Sequence, residues 1–249
     1  MDVKVKRTRF FELHRSGCFL LPNPWDIGSA KHLEAMGFQA LASTSSGAAL
    51  AVGKTDGQLT RDEVLRHLEA ICRATNLPLN ADFEAGFGST SKAVFESVQM
   101  AIATGVSGLS IEDYDGVKLF SKTDAVERMR AAREAIDRSG QKVVLVGRSE
   151  GYIRNNPDLD ETIIRLVAFK EAGADCLYAP GVTDMGEMKK IVTAVAPAPV
   201  NALLLPGLTV AQLKAAGVRR ISVGGAFAKA ALNALHLAAA SFFERGTLQ

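Results

Sequence analysis

Cysteine is scarce in this chain. Only Cys18, Cys72 and Cys176 occur in 249 residues, and no two are spaced as CxxC. That excludes a disulfide framework and a zinc site built on cysteine pairs, and it fits a reducing compartment. Basic runs are missing too. Lys and Arg number 29 against 27 Asp and Glu, leaving a formal charge of +2. Without a basic patch or an aromatic-basic stripe, no nucleic-acid partner is expected. The start, Met1 to Arg7, has charges but no apolar signal core behind them. No apolar run reads as long and pure enough to span a bilayer. The expectation is a soluble cytoplasmic protein with no membrane partner. The four histidines, His14, His32, His67 and His236, fall on expected helices and read as packing or surface residues. Lys142 precedes its strand and would face the wrong rim for a Schiff base.

What is present is a large apolar fraction, 47%, enough for one sizeable core. Residues 1–249 read as a single domain, a length that α/β barrels routinely reach. A helix end, a glycine and a short apolar strand recur in order. The pattern is centred on Gly37, Gly105, Gly173 and Gly217, the first three each 68 residues apart. Glycine after a helix takes the left-handed cap that other residues resist. Eight short apolar segments begin near Cys18, Leu41, Leu77, Leu109, Val143, Leu177, Pro199 and Ile221. Each leads into a helical pattern. Leu41-Ala42-Ser43-Thr44 leads first into a small-residue loop; Thr60 with Glu63 then marks a helix start, as Thr209 with Gln212 does later. Strict alternation implies a parallel sheet, and eight units in this length imply a closed (β/α)8 barrel. A doubly wound sheet is the alternative, but Pro22-Asn23-Pro24-Trp25 is unlike the glycine-rich turn it needs after the first strand. The last helix, Ala226 to about Glu244, is apolar nearly all round. Such a helix is buried on every side, which here means against another subunit.

Chemistry in this fold sits at the C-terminal ends of the strands. Those ends carry Asn23 and Asp26, Thr44-Ser45-Ser46, Asp82 and Glu84, Glu112 and Asp113, Arg148 and Glu150, Asn201, and Gly224-Gly225. Asp82 and Glu84, two apart, share one strand face. With Glu112 they form a carboxylate trio able to hold Mg²⁺ directly or through water. Arg148 can grip a carboxylate or phosphonate with two parallel bonds. Thr44, Ser45 and Ser46 offer donors to another anionic oxygen, and Asn201 can donate to a carboxylate. Trp25 lines the pocket or plugs the barrel mouth. Gly224-Gly225 forms a phosphate cradle or a close-packed turn. The substrate implied is a small acid with two anionic ends and a keto oxygen.

The segments Asp82-Phe83-Glu84-Ala85-Gly86-Phe87-Gly88, Ser110-Ile111-Glu112-Asp113 and Gly147-Arg148-Ser149-Glu150 resemble the isocitrate lyase/phosphoenolpyruvate mutase superfamily. The likeness runs from Pro22 to the last strand. It implies a (β/α)8 barrel with the last helix exchanged between subunits of a dimer or tetramer. It implies Mg²⁺, with Mn²⁺ as the substitute, at Asp82, Glu84 and Glu112. Thr44, Ser45, Ser46, Arg148 and Asn201 then bind the substrate. Gly53-Lys54-Thr55-Asp56 resembles the segment carrying a further site aspartate, so Asp56 joins Arg148 and Glu112 as a catalytic candidate.

The departures narrow the activity. Superfamily lyases that cleave isocitrate-like acids carry a Lys-Lys-Cys-Gly-His loop after the fourth strand. Here that stretch is Asp113 to Ser121, with no cysteine or histidine. The gating-loop asparagine of phosphonomutases is also missing, and Glu84 stands where many relatives have aspartate. The expected function is a Mg²⁺-dependent lyase or decarboxylase that works on an oxaloacetate-like 2-oxo acid through a pyruvate enolate. The alternatives are P–C bond chemistry on phosphonopyruvate and a barrel that binds an oxo acid without turnover.

Overall fold

A computed structural model of the protein describes residues 1–248. Eight parallel strands alternate with helices in a nearly closed (β/α)8 barrel. The strands are β1 (Phe19–Leu21), β2 (Leu41–Ala42), β3 (Leu79–Asp82), β4 (Gly108–Glu112), β5 (Val144–Arg148), β6 (Cys176–Tyr178), β7 (Val200–Leu203) and β8 (Arg220–Ser222). Ladders join β2 through β8 in sequence, and β8 pairs with β1. The β1–β2 seam is closed by single bonds. Ala42 N donates to Pro22 O at 3.0 Å, and Asn23 Nδ2 donates to Ser43 O at 2.9 Å.

The helices are α1 (Val3–Leu13), α2 (Ile27–Ala35), α3 (Ser45–Ala51), α4 (Arg61–Ala74), α5 (Ser91–Ala103), α6 (Lys122–Ser139), α7 (Leu159–Glu171), α8 (Met185–Val195), α9 (Val210–Ala215) and α10 (Ala226–Arg245). The expected starts are formed by their caps. Thr60 and Glu63 make a reciprocal capping box, as do Thr209 and Gln212. The recurring glycines take left-handed backbone, with φ of +90° at Gly37, +98° at Gly105, +101° at Gly173 and +91° at Gly217. Only glycine reaches that region without a Cβ clash.

Two apolar layers result. One fills the space between strands and helices and includes Leu109, Ile111, Leu145, Leu177 and Ile221. The other lies inside the barrel and includes Phe19, Leu21, Val144, Val146 and Cys176. Phe10 of α1 joins the inner layer with no exposed surface, so α1 plugs the barrel's lower end. Its cations are anchored on backbone carbonyls. Lys6 Nζ donates to Cys72 O at 2.8 Å, and Arg7 Nη2 donates to Ile102 O at 2.7 Å. With the lower end shut, the open rim is at the strands' C-terminal ends.

Three sequence expectations need correction. The small-residue stretch after β2 folds as the helix α3, because Thr44 Oγ1 caps it by accepting from Gly47 N at 3.3 Å. His14 lies just past α1, as its C-cap, instead of inside it. Finally, α10 is long and apolar enough to cross a membrane by length and composition, with a mean hydropathy of 1.3 over its best window. Alanine and leucine raise that mean between widely spaced charges. Only Ala228 and Ser241 of α10 are buried, while Leu235, Leu237, Phe242 and Phe243 are exposed.

Candidate active site

The site is built on the ends of β3, β4 and β5. Register places Asp82 opposite Ser110, and Glu112 opposite Arg148. Arg148 is the hub. Its Nη1 lies 3.1 Å from Asp82 Oδ1 and 3.3 Å from Glu112 Oε2, and its Nε pairs with Glu150 Oε1. Burial alone would lower the Arg148 pKa. The carboxylates of Glu112, Glu150 and Asp82 outweigh it and hold the guanidinium charged. Glu150, fully buried, takes a second cation at its other oxygen, with Arg154 Nε at 2.9 Å. Arg154 Nη2 also stands 3.9 Å from Glu112 Oε1, and its guanidinium lies 4.1 Å over the Tyr114 ring.

Glu84 is set differently. It sits past the end of β3 at φ +45°, followed by Gly86 at +87° and Phe87 at +50°. Non-glycine residues in this region cost free energy, so the loop needs external support. Arg128 of α6 supplies it. Its Nη1 donates to Ala85 O at 3.1 Å and to Gly88 O at 2.7 Å, and its guanidinium lies 4.0 Å over the Phe120 ring. Glu84 Oε1 is buried without a hydrogen-bond partner. Burial, Asp82 and Asp56 push the Glu84 pKa up to about 7. Burial first, then Glu150 and Asp82, also raises Glu112, against the pull of Arg148.

Among the described residues, no three His, Cys, Asp or Glu side chains are arranged to hold a metal ion directly. Arg148 occupies the space between Asp82 and Glu112. The donor set still fits a hydrated Mg²⁺. The candidates are all hard carboxylate oxygens, one of them an orphaned buried acceptor, and Mg²⁺ keeps several waters when bound by few carboxylates.

The other expected residues fall as follows. Ser45 N donates to Asp82 Oδ2 at 3.0 Å, and Ser45 Oγ donates to Asp56 Oδ1 at 2.9 Å. Thr44 spends its hydroxyl on capping α3 and lies 3.1 Å from Ser46 Oγ. Asn201 Nδ2 donates to Ser222 Oγ at 3.0 Å. A cavity of about 230 Å³ is lined by Thr44, Ser45, Ser46, Asp56, Asp82, Arg148 and Asn201. Beside it a cavity of about 610 Å³ is lined by Glu84, Glu112, Tyr114, Arg128, Arg148 and Arg154. Trp25 lines neither; its Cβ is 2.9 Å from where a Cβ on Gly47 would lie. At the β8 end, the Val223 and Gly224 N–H groups both donate to Asn23 Oδ1 at 2.9 Å, and a Cβ on Gly225 would lie 2.6 Å from Ser46 Oγ. That geometry is the close-packed turn, not an open cradle.

Sequence reasoning missed Arg154 and Arg128 as site supports, and it placed Asp113 at a strand end without giving it a partner. Asp113 is 1% exposed. Its Oδ1 accepts Glu150 N at 2.7 Å, and its Oδ2 accepts Arg165 Nη1 at 3.2 Å. It therefore ties β4 to the loop after β5. The stretch after Asp113 is a tight hairpin, with a Tyr114–Leu119 bridge and Asp115 Oδ1 accepting Val117 N at 2.8 Å.

Comparison with known proteins agrees with this construction. The model of the family described as phosphoenolpyruvate phosphomutase matches residues 10–243. A crystal structure of a provisionally assigned lyase/mutase from Burkholderia cenocepacia superposes with a TM-score of 0.95 and 41% identity, covering 99% of this chain and 90% of that one. By sequence the chain is similar to 2-methylisocitrate lyase of Escherichia coli, 33% identical over 64% of this chain and 56% of the relative. It is also similar to oxaloacetate decarboxylase of Rhodopseudomonas palustris, 29% identical over 73% of this chain and 65% of the relative. The chain belongs to the phosphoenolpyruvate phosphomutase family, within the isocitrate lyase/phosphoenolpyruvate mutase superfamily of (β/α)8 barrels.

Proposed function

We propose that this protein is a Mg²⁺-dependent carbon–carbon lyase of the decarboxylase type, acting on a small oxaloacetate-like 2-oxo acid. The observation that carries the reading is Arg148, half-buried and held between Asp82 and Glu112 at the cavity wall, with the orphaned Glu84 oxygen beside it. Asp82, Glu84 and Glu112 would hold the ion, Mg²⁺ or Mn²⁺, directly or through water. When bound, the ion polarises the keto oxygen and stabilises the charge developing on it by several kcal/mol.

The chain's own residues orient the acid. Arg148 offers guanidinium N–H groups to a substrate oxygen. Ser45 and Asp56, already bonded to one another at 2.9 Å, line the cavity beside Asp82. The Tyr114–Leu119 hairpin carries neither cysteine nor histidine. Loss of CO₂ needs no acid at the bond that breaks, so decarboxylation suits this loop better than cleavage of an isocitrate-like acid.

The same reading includes a homo-oligomer. Leu20, on the outer face of β1, is 42% exposed where a barrel helix would cover it. The apolar α10 projects with little of its own barrel to pack on. A neighbour's α10 covering that face satisfies both surfaces. The three free thiols accord with a reducing, cytoplasmic setting.

The test offers oxaloacetate and phosphonopyruvate in parallel with Mg²⁺, followed by proton and phosphorus NMR. Faster pyruvate formation from oxaloacetate supports the decarboxylase reading. Turnover of phosphonopyruvate alone replaces it with P–C chemistry. Turnover of neither leaves an oxo-acid-binding barrel.

A further inference from the structure

Beneath the site lies a buried cation with no counter-charge. Arg220 of β8 is 2% exposed, and no carboxylate pairs with it among the described residues. Its partners are neutral dipoles. Nε donates to Asn201 Oδ1 at 2.9 Å, while Nη1 lies 3.3 Å from both His14 Nε2 and Asn80 Oδ1. His14 does not help to balance the charge. Burial and the neighbouring Arg220 push its pKa down to about 3, and its Nδ1 lies 2.8 Å from Phe10 O. These bonds use the Nε and Nη1 hydrogens. Nη2 has no acceptor among the described residues, and Arg220 lines the 230 Å³ cavity.

A charge taken out of water is costly unless it is paired. Isolated cations of this kind mark the place where an anion arrives. The sheet puts the cation in a defined relation to the site. Glu112, Arg148, Tyr178, Asn201 and Arg220 are successive register partners across β4 to β8. The row thus runs from the carboxylate wall to the Arg220 floor. Arg148, Asn201 and Arg220 of this row all line the 230 Å³ cavity, together with Asp82 and Asp56. A molecule with two anionic ends matches two arginines set along one row.

We infer that Arg220 is the receptor for the second carboxylate of the substrate, reached from the cavity floor beside Asn201 and Ser222. This rests on the oxo-acid reading above and deepens it. The carboxylate wall takes the 2-oxo acid end that all members of the substrate class share. Arg220 selects a diacid over a monoacid, because only a diacid neutralises the buried charge. Asn201 is fixed alongside it: its amide oxygen accepts from Arg220 Nε, and its Nδ2 donates to Ser222 Oγ.

The experiment is calorimetric titration of Mg²⁺-saturated protein with pyruvate and with 3,3-difluorooxaloacetate, which adds the second carboxylate and resists decarboxylation. Wild type is expected to bind the diacid at least about 30-fold more tightly, the scale of a buried charge pair. Arg220→Gln should remove most of that ratio while changing pyruvate affinity by less than about threefold. Equal wild-type affinities, or a variant that weakens both ligands by the same factor, overturns the assignment. If Arg220→Gln does not fold, the wild-type ratio and Arg220→Lys decide. The shorter cation should keep the preference for the diacid but reduce it, and an unchanged ratio counts against Arg220. Turnover separates the two claims. A diacid preference without turnover keeps Arg220 and removes the lyase reading. Oxaloacetate turnover without the preference does the reverse.

Discussion

Arg148 Nη1 lies 3.1 Å from Asp82 Oδ1, a bond between side chains 66 residues apart that joins β5 to β3 at the cavity wall. The same nitrogen serves Glu112 at 3.3 Å. Removing it leaves Asp82, Glu112 and Glu150 crowded without their cation. Arg148→Met is therefore expected to lower turnover by about 10²-fold or more, the usual effect of losing a preorganised donor. Breaking a buried ion pair also destabilises, by about 3–5 kcal/mol. Urea denaturation reads the second effect. Full stability in the variant would contradict the hub assignment.

Arg128 supports the loop that carries Glu84 without touching the substrate cavity's carboxylates. Its two bonds to Ala85 O and Gly88 O hold the backbone that places Glu84 at φ +45°. Arg128→Met is expected to weaken Mg²⁺ binding about tenfold, within the range for residues that orient ligands. Calorimetry on the substrate-free protein measures this. Unchanged Mg²⁺ affinity would show that the loop holds its shape alone.

His14 makes stability depend on pH in one direction. Its folded pKa is about 3 against an ordinary value of 6.5. Between those values the unfolded chain carries one proton more than the folded chain, so stability rises with pH there. The contribution is intact above pH 6.5 and is lost as pH falls toward 3. From pH 7 to pH 5 the loss is on the order of 2 kcal/mol. His14→Gln should remove that part of the acid sensitivity while other groups still titrate. Identical pH slopes in both proteins would contradict it.

The barrel was legible because its signals are local. The capping pairs Thr60–Glu63 and Thr209–Gln212 and the glycines at 37, 105, 173 and 217 each act within a few residues. The sequence pattern starts β3 two residues early, at Leu77, because Leu77-Pro78 is apolar; proline has no N–H for a ladder, and pairing begins at Leu79. The helix α3 was hidden because Ser45, Ser46 and Gly47 are turn residues, and only the Thr44 cap reveals it. The rim residues Asp82, Glu112 and Arg148 could be listed from strand ends. Their convergence on one guanidinium could not. The Arg220 network was further out of reach, since it joins His14 to a residue 206 positions away. One sign was available: an arginine opening the short strand Arg220-Ile221-Ser222, where burial demands a partner.

The exposed apolar side chains of α10 predict assembly. Leu235 is 63% exposed and Phe243 is 91% exposed. Apolar patches of this kind mark protein interfaces. Sedimentation should show wild type as a dimer or tetramer, and Leu235→Glu with Phe243→Glu should dissociate it. A monomeric wild type would contradict the helix exchange.

If Asp82, Glu84, Glu112 and Arg148 form the working site for an oxaloacetate-like acid, pyruvate release from oxaloacetate with Mg²⁺, followed by NMR, reads it out, with the Asp82→Ala protein correcting for spontaneous metal-driven decay. Release by wild type is expected at least about 10²-fold above that control. Equal rates in wild type, variant and free Mg²⁺ would contradict it.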